Sequence, residues 1–543
     1  MSVMKRIFCI LLSAAAVVYT WITHQISEWN SSDSDVQMID LNNDLKDLSH
    51  DDVFSSTYEI FVYSFCDSDQ DGIGDLNGVT KKLDYIKGLG FHAIWLMPVA
   101  QSPSYHKYDV TDYCSIDEEY GTIEDFDHLV EEASARGIKV ITDLVLNHTS
   151  DQHPWFEEAG AYLRSTGDGE PDVNECPYVD YYHFSRYAQE GYEKLPDSDW
   201  YYEAQFTGSM PDLNLDSEAV RNEVKEIMRF WIEHGVSGFR LDAVTSYYTG
   251  DDQANTEFLE WLTSAGKEMK SDLYFTGEAW TSRDVYASYY AGGIDSLFDF
   301  SFASDSGVIS KTVNGQTGAD QYVYECIEAE ELYASYNAES VNAPFYTNHD
   351  MNRSASYYAE GDTAKVKMAE ALNLLMSGNA FLYYGEELGM NGEGSDENKR
   401  APMYWSDRAD DEDLCAAAEG MDDIEMYYGS YEEQKDDPLS VYSYVKQVMK
   451  IRNAFPAVCE GKTYIEESLS GHDLAVMFKV SERDEDVMIV INTSSVIQET
   501  DLSGIGKLDL RAVLNTGEDN VCFDEGVLTI PAYAIAVFTE NEG

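Results

Sequence analysis

The chain has 543 residues, enough for two or three domains around a large buried core, and its 44% hydrophobic content excludes a disordered polymer. It carries 35 basic against 101 acidic residues, a formal net charge of -66. Such a surface excludes nucleic acid as a partner, because phosphates need a basic face. The acidic excess is spread along the whole chain and reads as a solvated surface suited to solubility or salt tolerance.

At the N-terminus, Lys5 and Arg6 precede an apolar stretch over 7–22, the pattern of a targeting segment. The stretch is longer than many signal sequences and shorter than most spanning helices, so residues 1–23 read equally as a signal peptide or an N-terminal membrane anchor. An acidic linker rich in Ser, Asp and Asn fills 24–56. Under either reading the body of the protein is expected to be exported, secreted or anchored at the cell surface. Of the 8 cysteines, Cys9 lies in the targeting segment and the rest are scattered without a CxxC pair. No zinc site is expected, and the odd number remaining leaves at least one thiol free or intermolecular.

From Thr57 onward, short apolar runs alternate with amphipathic stretches. Strands are predicted at 58–64, 93–98, 139–146, 238–244, 273–278, 296–302, 343–349 and 380–384, with helices such as 124–136, 218–234 and 363–377 between them. This repeat defines an α/β chain, a (β/α)8 TIM barrel over 57–456. After the third strand the pattern breaks into Pro, Gly, Tyr and acidic residues, so about 148–211 is predicted to form an inserted subdomain over the barrel mouth. Beyond a helix at 439–455, alternating stretches such as LAVMFKV and VMIVINT predict a C-terminal antiparallel β-sandwich over 457–543.

Three apolar runs end in an acid: Asp242 in GFRLDAV, Glu278 in YFTGEAW and Asp350 in FYTNHD. Buried parallel strands of a barrel open onto its mouth at such ends. Glycoside hydrolysis needs two carboxyl groups flanking the scissile bond, and a third can stabilise the cationic transition state. Neighbouring strands lie about 5 Å apart, which suits the roughly 5–5.5 Å separation of a retaining pair. Arg240 stands two residues before Asp242, on the same side of its strand, and can keep that carboxylate ionised. Repulsion from nearby acids raises Glu278, as a proton donor requires.

Residues 67–75 read DSDQDGIGD. Asp67, Asp69, Asp71 and the following glycine repeat the first half of an EF-hand loop, but Gly78 stands where that loop needs its last Glu. With Asp75, four carboxylates within so short a stretch repel one another strongly without a cation.

The chain closely resembles the α-amylase family of glycoside hydrolases, family 13, over most of 57–543. The matching stretches are DLVLNH (143–148), MPDLN (210–214), GFRLDAV (238–244), GEAW (277–280) and TNHD (347–350), in the family's order. The resemblance implies Asp242 as nucleophile, Glu278 as general acid/base and Asp350 as transition-state stabiliser. It implies substrate contacts from Asp109, His148, Arg240, His349 and Arg400, with Tyr108 as the aromatic platform beneath the sugar. It also implies a calcium (Ca2+) loop like that of the oligosaccharide-acting branch, bound by the side chains of Asp67, Asp69, Asp71 and Asp75 and the carbonyl of Ile73. A second calcium is implied at Asn147 and Asp212, with a backbone carbonyl near Ser246.

Thr245 and Ser246 stand where many α-amylases carry Lys-His, which leaves the sugar contacts beyond the cleavage point open. MPDLN resembles an intermediate group lying between oligo-1,6-glucosidases and neopullulanases, made up largely of α-amylases. The implied activity is cleavage of α-1,4-glucosidic bonds in maltooligosaccharides and starch, with retention, by a monomer. An exo-acting α-glucosidase or oligo-1,6-glucosidase is the alternative. A non-catalytic amylase-like partner of a membrane transporter is a more distant one, disfavoured by the complete set of acids.

Overall fold

The computed structural model describes residues 54–540 apart from Asp168 and Ala409. The signal or anchor segment and nearly all of the acidic linker lie outside the described residues. Among the described residues, no helix is long and apolar enough to cross a membrane.

Eight strands form one parallel sheet: β1 Ser56–Ile60, β2 Ala93–Leu96, β3 Lys139–Leu144, β4 Gly238–Leu241, β5 Tyr274–Gly277, β6 Ser296–Phe298, β7 Val341–Ala343 and β8 Ala380–Tyr383. Their order is β7-β6-β5-β4-β3-β2-β1-β8. The ends meet where Asn379 N–H donates to Asn342 O and Phe381 N–H to Pro344 O, both at 2.8 Å, and the sheet is a (β/α)8 barrel. Every residue of β1, β2, β4, β5 and β8 is buried, as expected where one face meets the interior and the other meets helices. Trp95, Ile141, Tyr274, Phe298, Phe345 and Phe381 fill the interior, apart from the larger core between strands and helices. The surrounding helices start on side-chain caps, such as Ser217 for Glu218–Glu233, and bury one stripe, there Val220, Val224, Ile227, Met228 and Trp231.

All eight strands end before their apolar runs do, and three of them show why. The run over 58–64 leaves β1 after Ile60 and turns, with Ser64 N–H donating to Phe61 O. The run over 296–302 stops at Phe298, and Phe302 N–H then closes a turn onto Asp299 O. The run over 343–349 belongs mostly to the loop after β7, because Pro344 offers no N–H to a ladder. Burial without a ladder produces the same apolar signal as a buried strand.

Between β3 and β4 the chain forms the helix Pro154–Thr166 and a small antiparallel sheet of Phe184–Ser185, Tyr201–Glu203 and Tyr192–Lys194. Isolated bridges His148↔Asp212 and Tyr182↔Leu213 tie this insertion to the barrel mouth. After the barrel, a five-stranded antiparallel sheet of Lys462–Ile465, Leu474–Val480, Val487–Asn492, Ala534–Glu540 and Leu508–Leu514 faces a three-stranded one of Gln498–Asp501, Val527–Ile530 and Cys522–Asp524. Alternate residues divide between two cores: Val476, Val490 and Phe538 pack between the sheets, while Met477, Ile489 and Val537 pack against the barrel. The seven cysteines among the described residues are all unpaired.

Candidate active site

The strand register brings the motif acids together. Asp143 of β3 lies opposite Arg240 of β4, and Arg240 lies opposite Thr276 of β5. The side chains of Asp143 and Arg240 therefore share one level inside the barrel, and the residues just beyond, Asp242 and Glu278, rise at its mouth. Arg240 is fully buried and serves three carboxylates. Its Nη1 lies 2.6 Å from both Asp143 Oδ1 and Asp242 Oδ1, and its Nη2 lies 2.9 Å from Glu278 Oε2. Ala243 N–H, next to Asp242, also donates to Glu278 Oε2 at 3.3 Å. Asp242 and Glu278 thus converge on opposite ends of one guanidinium. The other oxygen of Glu278, Oε1, has no protein partner.

Asp350 follows β7 on a loop between two cations. Arg400 Nη2 lies 2.7 Å from Asp350 Oδ1, and His349 Nε2 lies 3.1 Å from Oδ2. The other His349 nitrogen, Nδ1, is 2.6 Å from Glu59 Oε1 on β1, and Nε2 is also 2.9 Å from the Tyr108 hydroxyl. Burial disfavours the His349 cation, but Asp350 and Glu59 outweigh it and raise the imidazole to about 10. The ring is therefore charged at neutral pH.

The two remaining acids are driven in opposite directions. Burial raises Glu278 to about 7; Arg240 opposes the rise, and Asp242 and Asp350 add to it. Burial also works against the Asp350 anion, yet His349, Arg400 and Arg240 outweigh it and hold that carboxyl well below the usual range. One acid is thus poised to carry a proton beside one held as an anion, a division of the kind acid catalysis uses.

Tyr108 and His349 stack, with ring centroids 5.6 Å apart and planes inclined by 19°. His148 is buried with no protein partner for Nε2, and burial lowers its pKa, so the neutral ring keeps a free polar atom at the mouth. Asp109 is held by the hydroxyls of Ser102, at 2.9 Å, and Ser104. The remaining Arg400 donors go to the Tyr105 hydroxyl at 3.2 Å and the His349 carbonyl at 3.1 Å. Four supporting side chains were not singled out by the sequence reading: Glu59, Trp95, Tyr105 and Asp143. Burial raises Asp143 to about 6 against the pull of Arg240, and Trp95 Nε1–H donates to it at 2.9 Å. Its one signal is that it opens the DLVLNH stretch.

Of the implied metal ligands, Asp67, Asp69 and Asp71 bring carboxylate oxygens within 4.8 Å of one another. The loop is tightened by backbone donors: Gly72 N–H to Asp67 Oδ2 at 2.8 Å and Ile73 N–H to Asp71 Oδ1 at 2.7 Å. Gly72 sits at φ +96°, a conformation that L side chains rarely adopt. Asp75 stands apart from this trio. It caps the helix Leu76–Lys81 through Gly78 N–H, and Ser68 donates to both of its oxygens. Three close hard oxygens fit a calcium ion. Asn147 and Asp212 meet where Asn147 Nδ2 donates to Asp212 Oδ1 at 3.1 Å. Burial raises Asp212 to about 7 with no cationic side chain among its partners, a donor set that also fits a cation.

Known proteins share this architecture. The family model "Alpha amylase, catalytic domain" matches residues 59–461. Alpha-amylase 3 of Dictyoglomus thermophilum is 38% identical over 458 residues, covering 81% of this chain and 84% of that protein. A glucan 1,6-alpha-glucosidase of Streptococcus pneumoniae is 33% identical over 364 residues, covering 61% of this chain and 64% of its own. The solved structure of Eubacterium rectale Amy13B superposes with a TM-score of 0.89 at 46% identity, covering 91% of this chain and 96% of that one. The chain is a member of the α-amylase family of glycoside hydrolases.

Proposed function

We propose that the protein hydrolyses α-1,4-glucosidic bonds in maltooligosaccharides and starch with retention of configuration, through a covalent glycosyl-enzyme. The observation that carries this reading is the single guanidinium of Arg240 held between Asp242 and Glu278, with Glu278 raised to about 7. Asp242, paired with Arg240, attacks the anomeric carbon. Glu278 protonates the leaving oxygen, and the C–O bond breaks to give a glycosyl ester on Asp242. Glu278, now a carboxylate, then takes a proton from water as the water displaces Asp242. Asp350, held anionic by His349 and Arg400, stabilises positive charge on the ring in both steps. Tyr108 offers the apolar face of the sugar a platform, and His148, Asp109, His349 and Arg400 supply its hydroxyls with partners. The α-1,4 preference draws on the likeness to proteins named as amylases. The 1,6-glucosidase relative keeps exo or α-1,6 action as the competing outcome.

Calcium belongs to the same proposal, held by Asp67, Asp69 and Asp71 and by Asp212 with Asn147. It supplies charge neutralisation, fixing the loop after β1 and the seam between the insertion and the barrel. Export of the protein is proposed from the segment that follows Lys5 and Arg6.

The test is a product time course on reducing-end-labelled maltoheptaose, with Glu278→Gln as the blank. Early labelled fragments of middle length, absent with the variant, support endo cleavage. Glucose removed stepwise from the unlabelled end moves the assignment to an exo-α-glucosidase. A β-anomer as the first product overturns retention.

A further inference from the structure

Behind the loop that carries Asp350 lies a cluster of polar groups that the proposed mechanism does not use. Glu386, in the turn after β8, and Glu370, on the helix Thr363–Leu374, are both buried. Ser354 N–H donates to Glu386 Oε2 at 3.1 Å, and Arg353 Nη1 lies 3.5 Å from Oε1. The Arg353 guanidinium is fixed in turn by a 2.6 Å hydrogen bond to Tyr384 O, and it lies over the rings of Tyr383 and Tyr384. The Thr347 hydroxyl lies against Glu386, and that of Ser354 against both carboxyl groups, without closing a well-formed hydrogen bond. Thr347 precedes Asp350 in the chain, and Arg353 and Ser354 follow it. Glu386 therefore grips the Asp350 loop from both sides.

Glu370 has the opposite surroundings. Among the described residues, no well-formed hydrogen bond reaches either of its oxygens, and no cation pairs with it. The titratable groups that face it are Glu386 and Glu387, after β8, and Tyr357 and Tyr358, on the turn that follows the Asp350 loop. A buried carboxylate with such neighbours is too costly to stay ionised and takes a proton instead. Glu386 differs, because Arg353 and the Ser354 N–H both favour its anion. We propose that Glu386 is a positioning residue for Asp350, fixing its loop as an anion through Arg353 and Ser354, and that Glu370 beside it is held protonated. Arg400 and His349 then orient the Asp350 carboxylate, while Glu386 sets where the loop itself stands.

The assignment rests on the role of Asp350 in the proposed hydrolase, and the experiment separates the two. Turnover of α-maltosyl fluoride is compared in wild type, Glu386→Gln, Asp350→Asn and the double variant, with thermal unfolding in parallel. Glu386→Gln should lower kcat at least about tenfold with KM little changed, yet by no more than about threefold when Asp350 is already Asn. A merely structural role lowers the unfolding temperature and leaves one factor in both backgrounds. That result, or no loss of kcat, overturns the positioning role while an active wild type leaves the hydrolase reading intact. Should the amide prevent folding, Glu386→Asp, which draws the charge back from Ser354 and Arg353, is put through the same comparison. Glu370→Gln reads the proton. Above roughly pH 4.3 the unfolded wild type ionises this group, while the native protein must still hold its proton, a cost the amide avoids. The unfolding temperature of Glu370→Gln should therefore gain on that of wild type as pH rises from there toward 8. A difference that stays flat or turns against the variant overturns the protonated assignment. A wild type inert toward maltotetraose and the fluoride alike overturns the hydrolase reading, and the positioning role with it.

Discussion

Replacing Arg240 with Met keeps the apolar stem and removes the one charge shared by Asp143, Asp242 and Glu278. A unit charge at ~4 Å in a site of effective dielectric ~20 is worth about 4 kcal/mol, and about 1.36 kcal/mol moves a pKa by one unit. Losing the guanidinium therefore lifts a neighbouring carboxyl by at most about three units, and water entering the gap leaves roughly one or more. Glu278, at about 7 with Arg240 pulling it down, moves further up. Its protonated form persists to higher pH, while the Asp242 anion loses its counter-ion. The alkaline limb of the kcat/KM profile should move to higher pH in Arg240→Met. The maximum should fall by about 10²–10³-fold, the scale of losing a pre-organised electrostatic partner. Leaving the acids buried and uncompensated also costs about 3–5 kcal/mol of stability, with the deficit larger at pH 8 than at pH 5 because more of them are ionised. The profile is measured on maltotetraose, whose leaving oxygen needs the Glu278 proton, with thermal unfolding in parallel. A folded variant whose alkaline limb stays in place or moves down refutes the claim that Arg240 sets the ionisation of Glu278.

Further outcomes follow from the same geometry. Glu278→Gln should lower maltooligosaccharide hydrolysis by about 10²–10⁴-fold while leaving the unfolding temperature nearly unchanged, since Glu278 Oε1 holds no protein partner. For the native enzyme, kcat/KM should decline above about pH 7 as Glu278 loses its proton, a limb read from initial rates across pH. Asp212, raised to about 7, makes the metal-free fold bind more protons than the unfolded chain below that pH, so its contribution to stability falls as pH rises toward 7. Calcium takes the place of that proton, so the rise in unfolding temperature on adding calcium should be larger at pH 7.5 than at pH 5. Asp212→Asn should flatten the difference. Asp69→Asn combined with Asp71→Asn should lower calcium affinity in a direct titration; unchanged affinity removes the 67–71 loop from the metal assignment.

The sequence made the barrel and its mouth acids legible because each relies on local pattern. A buried parallel strand is a continuous apolar run, and an acid at its end is conspicuous, as with Asp242 and Glu278. The parts that escaped are made by contacts distant in the chain. Glu59 looks like an isolated acid inside the apolar stretch STYEIFVY, and only folding places it 2.6 Å from His349, 290 residues away. Asp143 looks like one strand residue among several until the register sets it opposite Arg240. The 67–75 segment was legible only as a run of acids. Acid spacing alone does not distinguish a metal ligand from a helix cap, and Asp75 is held as a cap by Gly78 and Ser68. The overlong strand at 343–349 arose because burial leaves the same apolar signal with or without a ladder.

The arrangement of cations sets Glu278 and Asp350 apart. Asp350 faces two cations, Arg400 at 2.7 Å and a charged His349 at 3.1 Å, and Glu59 keeps that imidazole charged from behind. Asp242 has the nearer end of Arg240 at 2.6 Å. Glu278 receives the farther end of the same guanidinium at 2.9 Å, one long backbone hydrogen bond at 3.3 Å, and nothing at Oε1. Its anion is therefore less compensated than that of Asp350, and burial acts on it with less opposition. Burial lifts Glu278 to about 7 against that one more distant cation, whereas the two beside Asp350 hold its carboxyl low. The supporting residues Glu59 and Asp143 fix where His349 and Arg240 point their charge.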